Sequence, residues 1–294
     1  MRGQSASVGL ECTERIERRE LRIDARGPRP PDRFRSLTAS PASTAAARAG
    51  LPGAGLPSWR RTARYWITRG LAWLVARAYF RPQLDHGERL PDGPAIYCFN
   101  HLNWIDPFLL MATLPMRPRL FFFGPKEEDM GVGGRNRLMN WTCATVPYRP
   151  GKNDLLEATR RVRAVLASGG VLAIAGEGRI HASERELLRL EEGPAYFALR
   201  SGVPLVPIAI SGTSWLKLGR RVRVTIGEPI EPTGRPKRDA VDELTRRCWT
   251  ELHALVADRP DFAPPGRFGR WFTEVFNDWP EGSRPSVEAP AGER

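Results

Sequence analysis

The chain has 294 residues, 41% of them hydrophobic, enough to bury the core of one large α/β domain, and its net charge of +12 calls for anionic partners: nucleic acid, an acidic membrane surface or phosphorylated small molecules. Cys12, Cys98, Cys143 and Cys248 are scattered, with no CxxC pair and no four-member Cys/His set at zinc-site spacing, which argues against zinc and a disulfide scaffold and suits a reducing compartment. No stretch runs about 18 residues without charge, so no transmembrane helix is expected, and the N-terminus lacks the apolar core of a secretory signal.

Residues 1–56, rich in Arg, Pro, Ser, Ala and Gly, read as a disordered extension. A helix is expected over 57–86. In it Trp59, Trp66, Trp73 and Phe80 recur at heptad spacing and form one stripe, because a heptad drifts only about 20° per repeat. Arg60, Arg61 and Arg64 take another side, while Arg69 and Arg77 fall near or on the aromatic one, where long side chains can snorkel. Two readings stay open: a helix lying in a bilayer interface, or one packed on the domain through its aromatics.

The turn Pro91-Asp92-Gly93-Pro94 leads into an apolar run, Ala95 to Phe99, that reads as a buried strand. Asn100-His101-Leu102-Asn103-Trp104-Ile105-Asp106-Pro107 follows. On a continuous helix, residues five apart point about 140° away from each other, so His101 and Asp106 can meet only if the chain breaks between them. Pro107 supplies a helix start, with Asp106 as its N-cap. The pair can be a general base with its orienting carboxylate, or simply a loop histidine beside a helix cap.

A helix is expected through Leu109-Leu110-Met111, then a strand at Leu120 to Phe123 followed by Lys126. Gly131-Val132-Gly133-Gly134 lacks dinucleotide-site spacing and reads as a flexible turn. A short strand from Ala144 ends at Arg149. Asn153-Asp154 starts a helix whose face is Leu155, Leu156, Thr159, Val162, Val165 and Leu166, stopped by Gly169-Gly170. The strand Val171 to Ala175 delivers Gly176-Glu177-Gly178-Arg179-Ile180-His181, and a charged, leucine-rich helix is expected from there to about Ser201. Strands at Val203 to Ile210 and Val222 to Gly227 precede a helix over Lys237 to Ala257 and an amphipathic aromatic segment, Phe268 to Trp279, suited to a second surface contact. The alternation implies an α/β sheet with its site at strand ends, where His101, Lys126, Arg149 and Glu177 all fall. A base and several cations suit transfer onto a phosphorylated alcohol. With no Gly-x-Ser-x-Gly elbow and no cysteine at a helix start, direct transfer is preferred over a covalent intermediate.

Four ordered blocks resemble the glycerolipid acyltransferases, in particular bacterial 1-acylglycerol-3-phosphate acyltransferases. Asn100, His101 and Asp106 match Asn-His-x-x-x-x-Asp, and Val146-Pro147-Tyr148-Arg149 matches the second block. Gly176-Glu177-Gly178-Arg179-Ile180 matches the third, with Gly176 where the family has proline and the basic residue one place early. Val203-Pro204-Leu205-Val206-Pro207 matches the fourth.

The resemblance spans roughly 59–257. It implies an α/β acyltransferase domain (87–260) with a mixed central sheet flanked by helices, preceded by the interfacial helix and followed by an aromatic segment and tail (261–294). It also implies His101 as base and Asp106 as its orienter. Arg149, Glu177, Gly178, Arg179 and Lys126 would bind the acceptor, with Val203, Pro204 and Pro207 in the acyl or acceptor pocket. Acyl-CoA or acyl carrier protein would be the co-substrate, with no metal or bound cofactor. The expected place is peripheral, at the anionic cytoplasmic face of the cell membrane, with a lysophospholipid acceptor and no nucleic acid. Rival readings are another lyso-lipid acceptor such as a lyso-ornithine lipid, a thioesterase, or a non-catalytic basic membrane-binding protein.

Overall fold

In the computed structural model, which describes residues 50–125, 138–148 and 155–277, the apolar runs form a seven-stranded sheet. The strands are β1 (Arg81–Asp85), β2 (Ile96–Phe99), β3 (Leu120–Pro125), β4 (Thr145–Tyr148), β5 (Val171–Ala175), β6 (Leu205–Ser211) and β7 (Arg221–Ile226). Their order is β1-β7-β6-β2-β5-β3-β4, and every pairing is parallel except β6 with β7. The carboxyl ends of β2 through β6 therefore lie along one edge.

The central strands β2 and β6 are buried at every residue, as continuous apolar runs covered on both faces should be. Alternate side chains go to opposite layers. Ile96, Cys98, Leu172 and Ile174 pack with helices α3 (Leu155–Ala167), α4 (Gly193–Ser201) and α5 (Arg238–Val256). Tyr97, Phe99, Ala173, Ile208 and Ile210 face Tyr65 of α1 (Ser58–Tyr79) and Leu110 and Met111 of α2 (Asp106–Thr113). The last helix, α6 (Arg267–Phe276), packs Phe272 and Phe276 against a smaller cluster containing Phe80, Leu109 and Leu216.

Three expectations change. The first helix ends at Tyr79, and Arg81–Asp85 is an edge strand beside β7; Pro82 cannot continue a helix but is tolerated at a sheet edge. The segment 182–192 is irregular, because its backbone donors serve tertiary acceptors: Glu184 N–H reaches Asp261 Oδ1 (2.7 Å), Leu188 N–H reaches Glu177 Oε1 (2.8 Å) and Glu191 N–H reaches the Gly176 carbonyl (2.7 Å). The aromatic stripe of α1 also divides. Phe80 is buried, whereas Trp59, Trp66 and Trp73 face solvent with Ile67, Leu71, Leu74 and Val75. The docked side of α1 is polar in part: the Tyr65 hydroxyl accepts Leu120 N–H (3.1 Å), and the buried Arg69 guanidinium donates to the Leu114 carbonyl. No described helix is long and apolar enough to cross a membrane. Most of the N-terminal extension, Lys126, Gly131 to Gly134, Arg149, Asn153-Asp154 and the tail after Asn277 lie outside the described residues.

Gly212, at the carboxyl end of β6, has φ +93°, and a Cβ there would stand 2.3 Å from the Arg221 carbonyl oxygen. Gly219 has φ +74° but open space around it. Gly212→Ala is expected to cost about 2–4 kcal/mol in urea unfolding and Gly219→Ala only about 1 kcal/mol, because the first adds a backbone clash to the same conformational strain.

Candidate active site

The His101 loop leaves β2 and is bracketed to β6 before it turns. Asn100, fully buried, donates through Nδ2 to the Ile210 carbonyl (3.0 Å) and accepts Ile210 N–H through Oδ1 (2.7 Å), closing a two-bond clamp across the sheet. The Asn103 side chain donates to the Thr213 carbonyl (3.0 Å) and accepts Ile105 N–H (3.2 Å), which bends the chain into α2. The break required for His101 to meet Asp106 is thus built from two asparagines.

His101 Nδ1 and Asp106 Oδ2 are 2.9 Å apart. The same Oδ2 accepts the backbone N–H groups of Leu102 (2.8 Å) and Asn103 (2.9 Å), and the Asp106 side chain has no solvent exposure. Asp106 is consequently not the N-cap of α2: Ile105 holds that position, and the Asp106 carboxylate turns back over the loop instead of capping its own helix. A carboxylate at Nδ1 favours the tautomer with Nδ1 protonated and Nε2 free to accept. The His101 side chain is 17% exposed, and its Nε2 makes no hydrogen bond among the described residues. The ring stands edge-on to Phe99, with centroids 5.8 Å apart.

Glu177 fixes the backbone of that histidine. Its side chain is fully buried; Oε2 accepts His101 N–H (2.9 Å) and Oε1 accepts Leu188 N–H (2.8 Å), with His181 Nε2 also 2.9 Å from Oε1. His181 N–H in turn donates to the His101 carbonyl (3.0 Å). The carboxylate expected to bind the acceptor is committed to the protein's own backbone, and it acts as a brace. Gly176 is explained by space: a Cβ there would lie 2.6 Å from Cys98 Sγ. Gly178 turns the chain at φ +65°, and Arg179 after it is exposed, with no bonded partner among the described residues.

His101, Asp106 and Glu177 therefore converge, with Gly178 and Arg179 on the adjoining turn. Val203 and Pro204 precede β6, at the sheet edge opposite His101; the Pro204 carbonyl accepts Ile96 N–H, and Pro207 is buried within the strand. These three residues build the sheet and are not at the His101 edge. Lys126 and Arg149 lie outside the described residues. Residues the sequence did not single out include Asn103 and Asn277, whose side chain bonds Leu102 and Trp104, and Glu184, whose carboxylate accepts Gly212 N–H (2.8 Å), Ser214 N–H (3.0 Å) and the Ser214 hydroxyl (2.5 Å). Their partners are distant in sequence, and no local pattern marks them. Cys98 is no nucleophile: the Cys248 thiol beside it, together with burial, holds its own thiol well above the ordinary range. No cluster of three or more metal-ligating side chains occurs among the described residues.

Residues 82–211, from β1 to the end of β6, match the family model for acyltransferases. The match contains His101, Asp106 and Glu177. A 1-acyl-sn-glycerol-3-phosphate acyltransferase from Cocos nucifera is 26% identical over 204 residues, covering 65% of this chain and 60% of its own length. This chain thus spans about three-fifths of that relative. The crystal structure of the 1-acyl-sn-glycerophosphate (LPA) acyltransferase PlsC from Thermotoga maritima aligns with a TM-score of 0.48 at 21% identity, over 68% of this chain and 86% of that one.

Burial raises the Glu184 carboxyl above its ordinary value of 4.5, against the lowering effect of its hydrogen bonds from Ser214 and Gly212. The folded state then holds the proton more tightly than the unfolded state, so this group's contribution to stability is greatest below pH 4.5 and falls as pH rises through the raised folded value. Glu184→Gln removes that slope. Thermal unfolding of both proteins across this range should show the Tm difference, variant minus native, increasing with pH.

Proposed function

We propose that the chain is an O-acyltransferase that moves a fatty acyl group from acyl-CoA or acyl carrier protein to the free hydroxyl of a lysophospholipid, most simply 1-acylglycerol-3-phosphate. The observation that carries the reading is the His101–Asp106 pair, 2.9 Å apart at the carboxyl ends of the parallel strands with Nε2 uncommitted, inside the segment that matches the acyltransferase family model.

His101 Nε2 takes the hydroxyl proton as the acceptor oxygen forms a bond to the thioester carbonyl carbon. The carbonyl oxygen becomes an oxyanion, held by neighbouring N–H groups or cations. As it collapses, the C–S bond breaks, and the imidazolium returns its proton to the thiolate. An ester and a free thiol leave. Asp106, itself held by the Leu102 and Asn103 N–H groups, keeps Nε2 pointed at the hydroxyl. The resemblance assigns the acceptor phosphate to Arg149, with Lys126 assisting and Arg179, on the turn after Glu177, as a further acceptor-binding cation. Binding is peripheral, at the anionic cytoplasmic face of the membrane, through the exposed Trp and Leu side chains of α1.

A second acceptor reading, a lyso-ornithine lipid or another lysophospholipid, is favoured by one observation: the turn reads Gly176-Glu177-Gly178-Arg179-Ile180, with the basic residue one place early.

His101→Ala is expected to abolish transfer while leaving the unfolding midpoint near native, and Asp106→Asn to lower kcat by about 100-fold or more. With a panel of lyso-lipid acceptors and acyl-CoA, thiol release should require an acceptor and match product lipid one to one. Thiol release independent of acceptor would replace the proposal with a thioesterase. If the acceptor carries a phosphate, Arg149→Ala raises its KM sharply; a silent Arg149→Ala selects the phosphate-free acceptors.

A further inference from the structure

Helix α6 lies beyond the family segment, yet it reaches the histidine loop. Gly269, Thr273 and Asn277, spaced four apart and all buried, make its inner side. At Gly269 a Cβ would stand 2.9 Å from the Leu216 carbonyl oxygen and 2.7 Å from Pro265 Cγ, so glycine lets the helix come this close. Thr273 Oγ1 accepts Leu216 N–H (2.9 Å) and donates to the Gly269 carbonyl (2.7 Å). Asn277 Oδ1 accepts Trp104 N–H (3.0 Å), and its Nδ2 donates to the Leu102 carbonyl (3.3 Å). The asparagine thus grips the backbone on both sides of Asn103, next to His101. Phe276 stacks on Trp104 at 6.1 Å and 17°.

The outer side is the reverse in character. Phe268, Trp271 and Val275 are 65%, 57% and 48% exposed, with Arg267 exposed beside them. At Phe272 the helix touches Tyr79 of α1 (5.3 Å), the helix that exposes Trp73, Leu74 and Val75.

We propose that α6 is a lipid-docking helix that also positions the catalytic loop: Phe268, Trp271 and Val275 enter the interfacial layer of an anionic bilayer while Asn277 holds Leu102 and Trp104. The inference rests on the lyso-lipid acyltransferase reading. Trp and Phe beside Arg are the side chains that suit a bilayer interface, and the chain's net charge of +12 complements anionic headgroups. Docking here brings the His101 loop to the surface that holds the acceptor. Asn277 acts through the loop backbone and is a positioning residue.

The test uses the full chain, vesicles of phosphatidylglycerol with phosphatidylcholine, and two acceptors: a short-chain lysophosphatidic acid below its micelle concentration and a long-chain one in the vesicles. Phe268→Ser with Trp271→Ser should weaken vesicle flotation and lower the ratio of vesicle-borne to monomeric turnover about ten-fold. Asn277→Ala should lower kcat about ten-fold on both acceptors, with KM and the ratio unchanged, and Asn277→Asp, which keeps the acceptor for Trp104 N–H, should restore part of it. Unchanged flotation or an unchanged ratio in the double variant overturns the docking face. Native kcat in Asn277→Ala overturns the positioning role. Should the native chain turn over neither acceptor, the lyso-lipid reading fails, while flotation still decides whether α6 docks.

Discussion

One carboxylate oxygen organises the site. Asp106 Oδ2 receives His101 Nδ1 and the backbone N–H groups of Leu102 and Asn103, all within 2.9 Å, on a side chain with no exposure. A buried carboxylate is costly unless its oxygens are bonded, and hydrogen bonds to a charged group contribute about 1.5–3 kcal/mol each. The three donors exist only when the loop is wound around the oxygen. The oxygen that orients the imidazole is therefore also the one that fixes the loop, and the two backbone donors hold it in place whether or not the imidazole is present.

The remaining scaffold holds that loop from outside. Asn100 clamps its start to Ile210, Glu177 takes His101 N–H, His181 gives its N–H to the His101 carbonyl, and Asn277 holds Leu102 and Trp104 from the far end of the chain. These contacts come from β6, the turn after β5 and α6, elements that meet because parallel strands deliver their carboxyl ends to one edge. Most of them are side chain to backbone. They fix the path of the chain and leave His101 Nε2 without a hydrogen-bond partner among the described residues.

The central strands were legible because buried parallel strands are continuous apolar runs, as at Ile96–Phe99 and Val171–Ala175. The His101–Asp106 contact was legible because five-residue spacing demands a break and Pro107 marks one. The direction of the Asp106 carboxylate was not, since a helix cap and a loop anchor use the same residue type at nearly the same place. Leu187 and Leu190 suggest a helix by composition, but the backbone around them donates to Asp261, Glu177 and Gly176, and tertiary partners override local propensity. For Glu177 the motif places the residue, and the geometry adds that its oxygens accept the His101 and Leu188 N–H groups. Glu184 and Asn277 carry no local signal, because their partners lie about 30 and 175 residues away.

The account turns on Asp106 holding His101 as the tautomer with Nδ1 protonated and Nε2 open. The chain has four histidines, so long-range nitrogen–proton NMR on 15N-histidine protein can assign His101 by comparison with His101→Gln. At a pH where the ring is neutral, the account predicts a protonated Nδ1 and an unprotonated Nε2, with that preference lost in Asp106→Asn. A native His101 carrying its proton on Nε2 would contradict it, since the nitrogen left open by Asp106 could not then serve as the proposed base.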